Sequence, residues 1–210
     1  METRSVERAV WLGLSAVVAV VVLAGLWSLR GRGSPRADPP VLGAIPSFDL
    51  VERSGRPVSR ADLAGRPWVA DFIFTRCSGT CPALSTRMAE LRRKLREQGL
   101  SARLVSFSVD PTHDTPAVLR EYAARYAPDD DWWFVTGERD TLYALISQGF
   151  RLSVAERASD AGDSADELIT HSDRFVLVDG EGRIRGYYHG IDADAVPALL
   201  RDLAALQARG

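Results

Sequence analysis

The sequence predicts an α/β fold with a central mixed sheet and flanking helices, preceded by a single N-terminal transmembrane helix. Three observations carry this. Strand-like and helix-like segments alternate from a hairpin near residue 50 to a closing hairpin and helix after residue 174. Ala9 to Leu29 is 21 residues without a charge, long enough to span a bilayer. The only two cysteines of the 210 residues lie in Asp71-Phe-Ile-Phe-Thr-Arg-Cys77-Ser-Gly-Thr-Cys81-Pro82, where a strand pattern gives way to a helical one. The expected organisation is a short tail at 1–8, an anchor at 9–29, a linker at 30–45 and one folded domain at 46–210.

Composition fits one domain of about 160 residues plus an N-terminal segment. Apolar residues make up 46% of the chain, enough for a sizeable core. A net charge of −2, with no basic patch interleaved with aromatics, excludes nucleic acid as an expected partner.

The apolar run at 9–29 is too long for a signal-peptide core, and no convincing A-x-A cleavage site or lipid-bearing cysteine follows it. An uncleaved anchor is therefore expected. Only eight residues precede it, too few for a transit peptide, so a bacterial protein is expected. Arg4 and Arg8 precede the span, and Arg30, Arg32 and Arg36 follow it, so charge alone does not orient the domain. Residues 31–40 (GRGSPRADPP) read as a stalk, because proline and glycine disfavour both helix and sheet.

Within the domain, Phe48 to Glu52 and Pro57-Val58 flank a Ser54-Gly55 turn as a hairpin. Trp68 to Phe74 reads as a buried strand. From Pro82 onward Leu84, Met88, Leu91 and Leu95 recur at helical spacing, with proline suited to the first helical position. Ser101 to Val109 is the next strand, followed by a loop through Asp110, His113 and Asp114 and a helix over Ala117 to Tyr126, capped by Thr115 or Asp114. Trp132 to Val135 is a short strand and Asp140 to Ser147 a helix. Ser153 to Glu167, polar and partly acidic, reads as a mobile loop ending at His171. Arg174 to Val178 and Ile184 to Tyr188 form a hairpin around Asp179-Gly-Glu-Gly182. A final helix spans about Ala193 to Gln207, with Val196, Leu199, Leu200, Leu203 and Leu206 on one side. There is no internal repeat.

The cysteine pair allows three chemistries. It can be a structural disulfide, although so short a loop constrains the unfolded chain little. It can be a dithiol redox centre. It can also be a soft-metal site, in which two thiolates suit Cu(I) or zinc and call for a further ligand. His113, His171 and His189 are the only histidines available. Cys81 is expected at the N-cap of the helix, where the positive end of the dipole favours thiolate.

Three blocks in order resemble one family: Phe-Thr-Arg-Cys77-x-x-x-Cys81-Pro, then Ser108-Val-Asp110-Pro-x-x-Asp114-Thr-Pro, then Thr170-His171-Ser172 before an apolar strand. From about Pro46 to the C-terminus the chain is similar to the Sco (SenC) proteins, membrane-anchored proteins of thioredoxin-like fold that handle copper during assembly of cytochrome c oxidase. Ser78 departs from the proline that many members carry there. The resemblance implies a thioredoxin-like domain outside the cytoplasm, on the bacterial inner membrane, with copper held by Cys77, Cys81 and His171. It implies as partners subunit II of cytochrome c oxidase, with its dinuclear CuA site, and other periplasmic copper or thiol-redox proteins. The competing function is a thiol–disulfide oxidoreductase that reduces oxidase cysteines through Cys77 and Cys81, which would make these two residues catalytic. A peroxidase or a purely structural interaction domain fits less well.

Asp71 is out of place in an apolar strand, on a face with Val69 and Ile73. It precedes Cys77 by six residues, the separation at which thioredoxins carry a buried aspartate. A carboxylate there can move protons for a thiol; holding local backbone is the plainer alternative. Asp110 and Asp114 are expected near the cysteines, as loop and cap residues or as part of a docking face. His113 and His189 are expected to be a solvated loop residue and a structural residue.

Overall fold

The computed structural model describes residues 11, 13–15, 17–22, 38–152, 155–156, 169–170 and 173–208. The chain divides into two units, Met1–Ala37 and Asp38–Gly210. In the first, the described residues are helical, with Trp11, Leu14, Val17, Val18, Val20, Val21 and Val22 exposed. No helix among the described residues is long and apolar enough to cross a membrane. The remainder of the predicted span at 9–29 lies outside the described residues.

The second unit is built on one eight-stranded sheet. Its strands are β1 (Gly43–Ala44), β2 (Asp49–Glu52), β3 (Pro57–Ser59), β4 (Trp68–Ile73), β5 (Arg103–Ser108), β6 (Trp132–Thr136), β9 (Arg174–Val178) and β10 (Arg183–His189), in the spatial order β1-β10-β9-β4-β5-β6-β2-β3. β7 (Ala155–Glu156) and β8 (Ile169–Thr170) pair separately. β4, β5 and β6 run parallel, while β9 lies antiparallel on the other side of β4. This is the mixed sheet of a thioredoxin-like layer fold. The helices are α1 (Thr80–Gln98), α2 (Pro116–Ala124), α3 (Arg139–Ala144, continued by a π turn over Leu145–Gly149) and α4 (Ala195–Gln207).

Each helix buries the stripe its spacing dictates. α1 turns Cys81, Leu84, Met88, Leu91 and Leu95 inward, and α4 turns Val196, Leu199, Leu200 and Leu203 inward. α1 ends at Gly99, whose φ of 65° is left-handed, so glycine closes the helix without a Cβ penalty. β4 and β6 are buried along their whole length and β5 beyond its first residue, as parallel strands covered on both faces must be. Phe72, Phe107, Trp68 and Phe150 pack one face of the sheet through edge-on and stacked ring contacts.

Three features depart from the sequence reading. The chain before Phe48 adds β1 to the sheet edge, and two residues carry no period that could announce a strand. Near the start of the acidic stretch 153–167, β7 pairs with β8 just beyond its end; the remainder of the stretch lies outside the described residues. Pro82 is the third residue of α1 rather than the first, because helix pairing already starts at Thr80. A proline is tolerated there, since the first four N–H groups of a helix have no intrahelical acceptor.

Candidate metal and dithiol site

Strand order decides where the site lies. β4 carries the chain to one pole of the sheet, and the turn after Phe74 leads through Cys77 into α1. β9 is antiparallel to β4, with Ala70 opposite Val176 and Trp68 opposite Val178, so β9 enters the sheet at the pole where β4 leaves it. Parallel pairing brings the end of β5, and the loop that follows it, to the same pole.

At this pole Cys77 and Cys81 are both free thiols and both buried, Cys81 completely. The Cys81 backbone N–H, in the first turn of α1, donates to the Cys77 sulfur at 3.4 Å. The Cys77 N–H in turn donates to the Phe74 carbonyl at 3.2 Å. The N-cap is Gly79, not Cys81. Standing two residues inside the N-cap changes the chemistry expected of Cys81. Burial pushes its thiol well above the ordinary range, despite a hydrogen bond from Phe74, and the nearby Cys77 and Asp71 charges add to that. Desolvation therefore outweighs the helix dipole, and Cys81 is a neutral thiol that must shed its proton to bind a metal ion.

Asp71 is the group placed to influence that proton. It is fully buried on the α1 side of β4, directly across the ladder from Ser106. Neither carboxyl oxygen has a hydrogen-bond partner of normal geometry. Burial drives its pKa up to about 7, and the Ser106 hydroxyl only moderates the shift. That hydroxyl is engaged by the Trp132 indole N–H at 3.0 Å. A carboxyl that exchanges its proton near neutrality beside a buried thiol has the properties of a general base.

The loop after β5 does more than the sequence indicated. Thr115 is the cap of α2, accepting from the Val118 N–H. Asp114 instead reaches across to the cysteine loop. It is fully buried and accepts from the Thr75 hydroxyl at 2.5 Å, the Thr75 N–H at 3.1 Å and the Ser108 hydroxyl at 2.7 Å. Burial still holds its carboxyl above the usual range, partly offset by these bonds. Asp110 accepts from Arg76 at 2.6 and 3.1 Å through one oxygen. Two consecutive residues before Cys77 are thus fastened to two carboxylates of the second motif. Both motifs are visible in the sequence; that they lock onto each other is a long-range fact no local pattern carries. Behind Cys81, the Ser85 and Tyr122 hydroxyls share a hydrogen bond at 2.8 Å, one turn along α1.

His171 lies outside the described residues. Its flanks are informative. Asp173, two residues on, accepts the Gly190 N–H at 2.7 Å, and Gly190 packs so closely on α1 that a Cβ there would come within 2.5 Å of Leu84. His189 is exposed, with its Nδ1 3.4 Å from the Asp173 carboxylate, and His113 is exposed in the loop after β5. Among the described residues no cluster of three metal-ligating side chains occurs.

A family model described as SCO1/SenC matches residues 39–206. The SCO1 protein homolog of Bacillus subtilis is 29% identical over 173 residues, covering 81% of this chain and 86% of its own. Among solved structures, BsSco, described as a member of the Sco family of cytochrome c oxidase assembly proteins with a disulfide switch, superposes with a TM-score of 0.69. It is 28% identical, with 81% of this chain and 96% of that one covered. ScoI of Bradyrhizobium japonicum, solved with copper bound, has a TM-score of 0.63 at 22% identity, covering 76% of this chain and 99% of its own, a likeness of fold. With four-fifths of its length matched by that model, the chain belongs to the SCO1/SenC family.

Proposed function

We propose that this chain binds Cu(I) through Cys77, Cys81 and His171 and delivers it to the CuA site in subunit II of cytochrome c oxidase. The observation that carries the reading is the convergence at one pole of two free thiols and the entry of β9, the strand that His171 precedes by three residues. The donor set suits the ion: two soft sulfurs and a borderline imidazole match Cu(I). Three ligands leave a side open for exchange with a partner. Family membership supports a role in oxidase assembly, and the copper-bound relative supports the metal.

The domain acts from the extracytoplasmic side of a bacterial inner membrane, held by the uncharged run at 9–29. A reporter fused after Gly210 that is active only in the cytoplasm would overturn that orientation.

His171→Ala tests the ligand set. The variant is expected to fold and to form the Cys77–Cys81 disulfide, while its Cu(I) affinity falls at least about tenfold, roughly 1.4 kcal/mol. Competition titration against a Cu(I) chelator reads this directly. Wild-type affinity in the variant would remove His171 from the site. A second reading, thiol–disulfide exchange on oxidase cysteines, is favoured by one specific observation: the buried Asp71 carboxyl beside Cys81, which can pass protons to and from a thiol at each redox cycle.

A further inference from the structure

The pole opposite the cysteines carries its own cluster of groups. β10 runs parallel to β4, with Ile184 opposite Val178 and Val178 opposite Trp68, so Arg185 lies near the pole where β4 begins. The buried Arg185 guanidinium donates to the Pro39 carbonyl at 2.5 and 2.9 Å and pairs with Asp38 and Asp179. The chain thus joins the domain at the pole farthest from Cys77 and Cys81. Six strand residues separate the two poles, on the order of 20 Å.

At the same pole a cavity of about 450 Å³ opens beside the β2–β3 turn, walled by Arg53, Arg56, Arg120 and Trp133, with Glu52 and Asp130. Its guanidinium groups are held in place largely by neutral groups. Arg53 donates to the Trp132 carbonyl at 2.7 Å, Arg120 donates to the Arg53 carbonyl at 2.9 Å, and Arg56 lies over the Trp133 ring at 4.5 Å. Arg103 also lies over that ring, at 3.8 Å, so the indole is held by two guanidinium groups. Of the acids present, Glu52 is buried and bonded to the Ser54 N–H at 2.8 Å, with Arg53 Nε 3.6 Å away. Arg120 has no ion pair within 4 Å among the described residues, and Arg56 has none either, although the Asp62 carboxylate feels its charge. Positioned guanidinium groups with free donors match phosphate oxygens in shape and charge.

We propose that this arginine pocket binds the phosphate headgroups of anionic phospholipid, seating the base of the domain on the membrane and turning the cysteine pole toward the aqueous side. The inference rests on the reading of residues 9–29 as an anchor. Asp38, the first described residue of the domain, pairs with Arg185 at this pole, so the chain that leads to residues 9–29 leaves the domain on the basal side. Arg30, Arg32 and Arg36 add positive charge to the same stretch.

The test uses the full chain in nanodiscs of phosphatidylcholine alone and of phosphatidylcholine with phosphatidylglycerol, read by hydrogen–deuterium exchange. Exchange at 53–56 is expected to slow in the anionic discs, and the protection to fall about fivefold for each arginine reversed in Arg56→Glu and Arg120→Glu, and to fade at high salt. Cu(I) binding of the variants should be unchanged, since the pocket lies at the other pole. Equal exchange in both discs overturns the proposal. Protection of the same segment by inorganic phosphate without lipid, with no added effect of anionic discs, reassigns the pocket to a small anion and also overturns it. A chain that does not enter the discs refutes the anchor instead. The same protein is then mixed with phosphatidylglycerol vesicles, where co-sedimentation lost in the double variant supports the lipid site and absence of binding overturns it.

Discussion

Asp71→Asn is expected to make the folded domain markedly less sensitive to pH, with the gap over wild type opening by up to about 4 kcal/mol between pH 4 and pH 8. The sign follows from the direction of the shift. The Asp71 carboxyl has a pKa of about 7 when folded, against 3.8 as its ordinary value. Between those two values the folded chain keeps a proton that the unfolded chain has released, so wild-type stability falls as pH rises through the window and levels off above it. The loss arises because an ionised carboxylate is held in an apolar interior, where the Ser106 hydroxyl only moderates the cost of burying it. Asparagine has the same shape and no charge to bury, so the variant lacks that component. Every other titrating group is common to both proteins and cancels in the difference. Urea unfolding under reducing conditions at several pH values measures the gap; parallel curves across pH 4–8 would mean that Asp71 is solvated or paired in solution.

Asp114→Ala is expected to destabilise the domain by about 3 kcal/mol, with Asp114→Asn costing less than about 1 kcal/mol. Alanine leaves the Thr75 N–H, the Thr75 hydroxyl and the Ser108 hydroxyl without their shared acceptor, with Ser108 buried and Thr75 half-buried. Asparagine keeps one acceptor oxygen, lets the hydroxyls rotate to its amide, and avoids the desolvation that holds the Asp114 carboxyl above its usual range. The alanine variant also frees the residues ahead of Cys77, so its Cys77–Cys81 disulfide should form more slowly than in wild type. Equal stability of the alanine variant and wild type would show that the two loops are held together by packing rather than by this carboxylate.

What the sequence made legible follows from the range of the forces involved. The helical stripes of α1 and α4, the β2–β3 hairpin and the strand ending in the cysteine loop rest on local period and turn chemistry, and they stand where expected. The ionisation of Cys81 differs from the expectation, because the dipole can be read from position along a helix whereas desolvation depends on what packs above the residue. Asp71 stood out as a polar residue in an apolar strand, yet its complete burial beside Ser106 depends on a parallel neighbour 35 positions away. The Asp110–Arg76 and Asp114–Thr75 contacts were hidden for the same reason. The arginine pocket draws on β2, β6 and α2 and leaves no compact motif at all.

The proposed function turns most directly on the ligand set of one copper ion. X-ray absorption of the full chain, reduced and loaded anaerobically with one equivalent of Cu(I), reads that set. Two sulfur scatterers and one imidazole nitrogen are expected, with the nitrogen lost in His171→Ala. A wild-type ion bound by two sulfurs alone, with a spectrum unchanged in the variant, would contradict it.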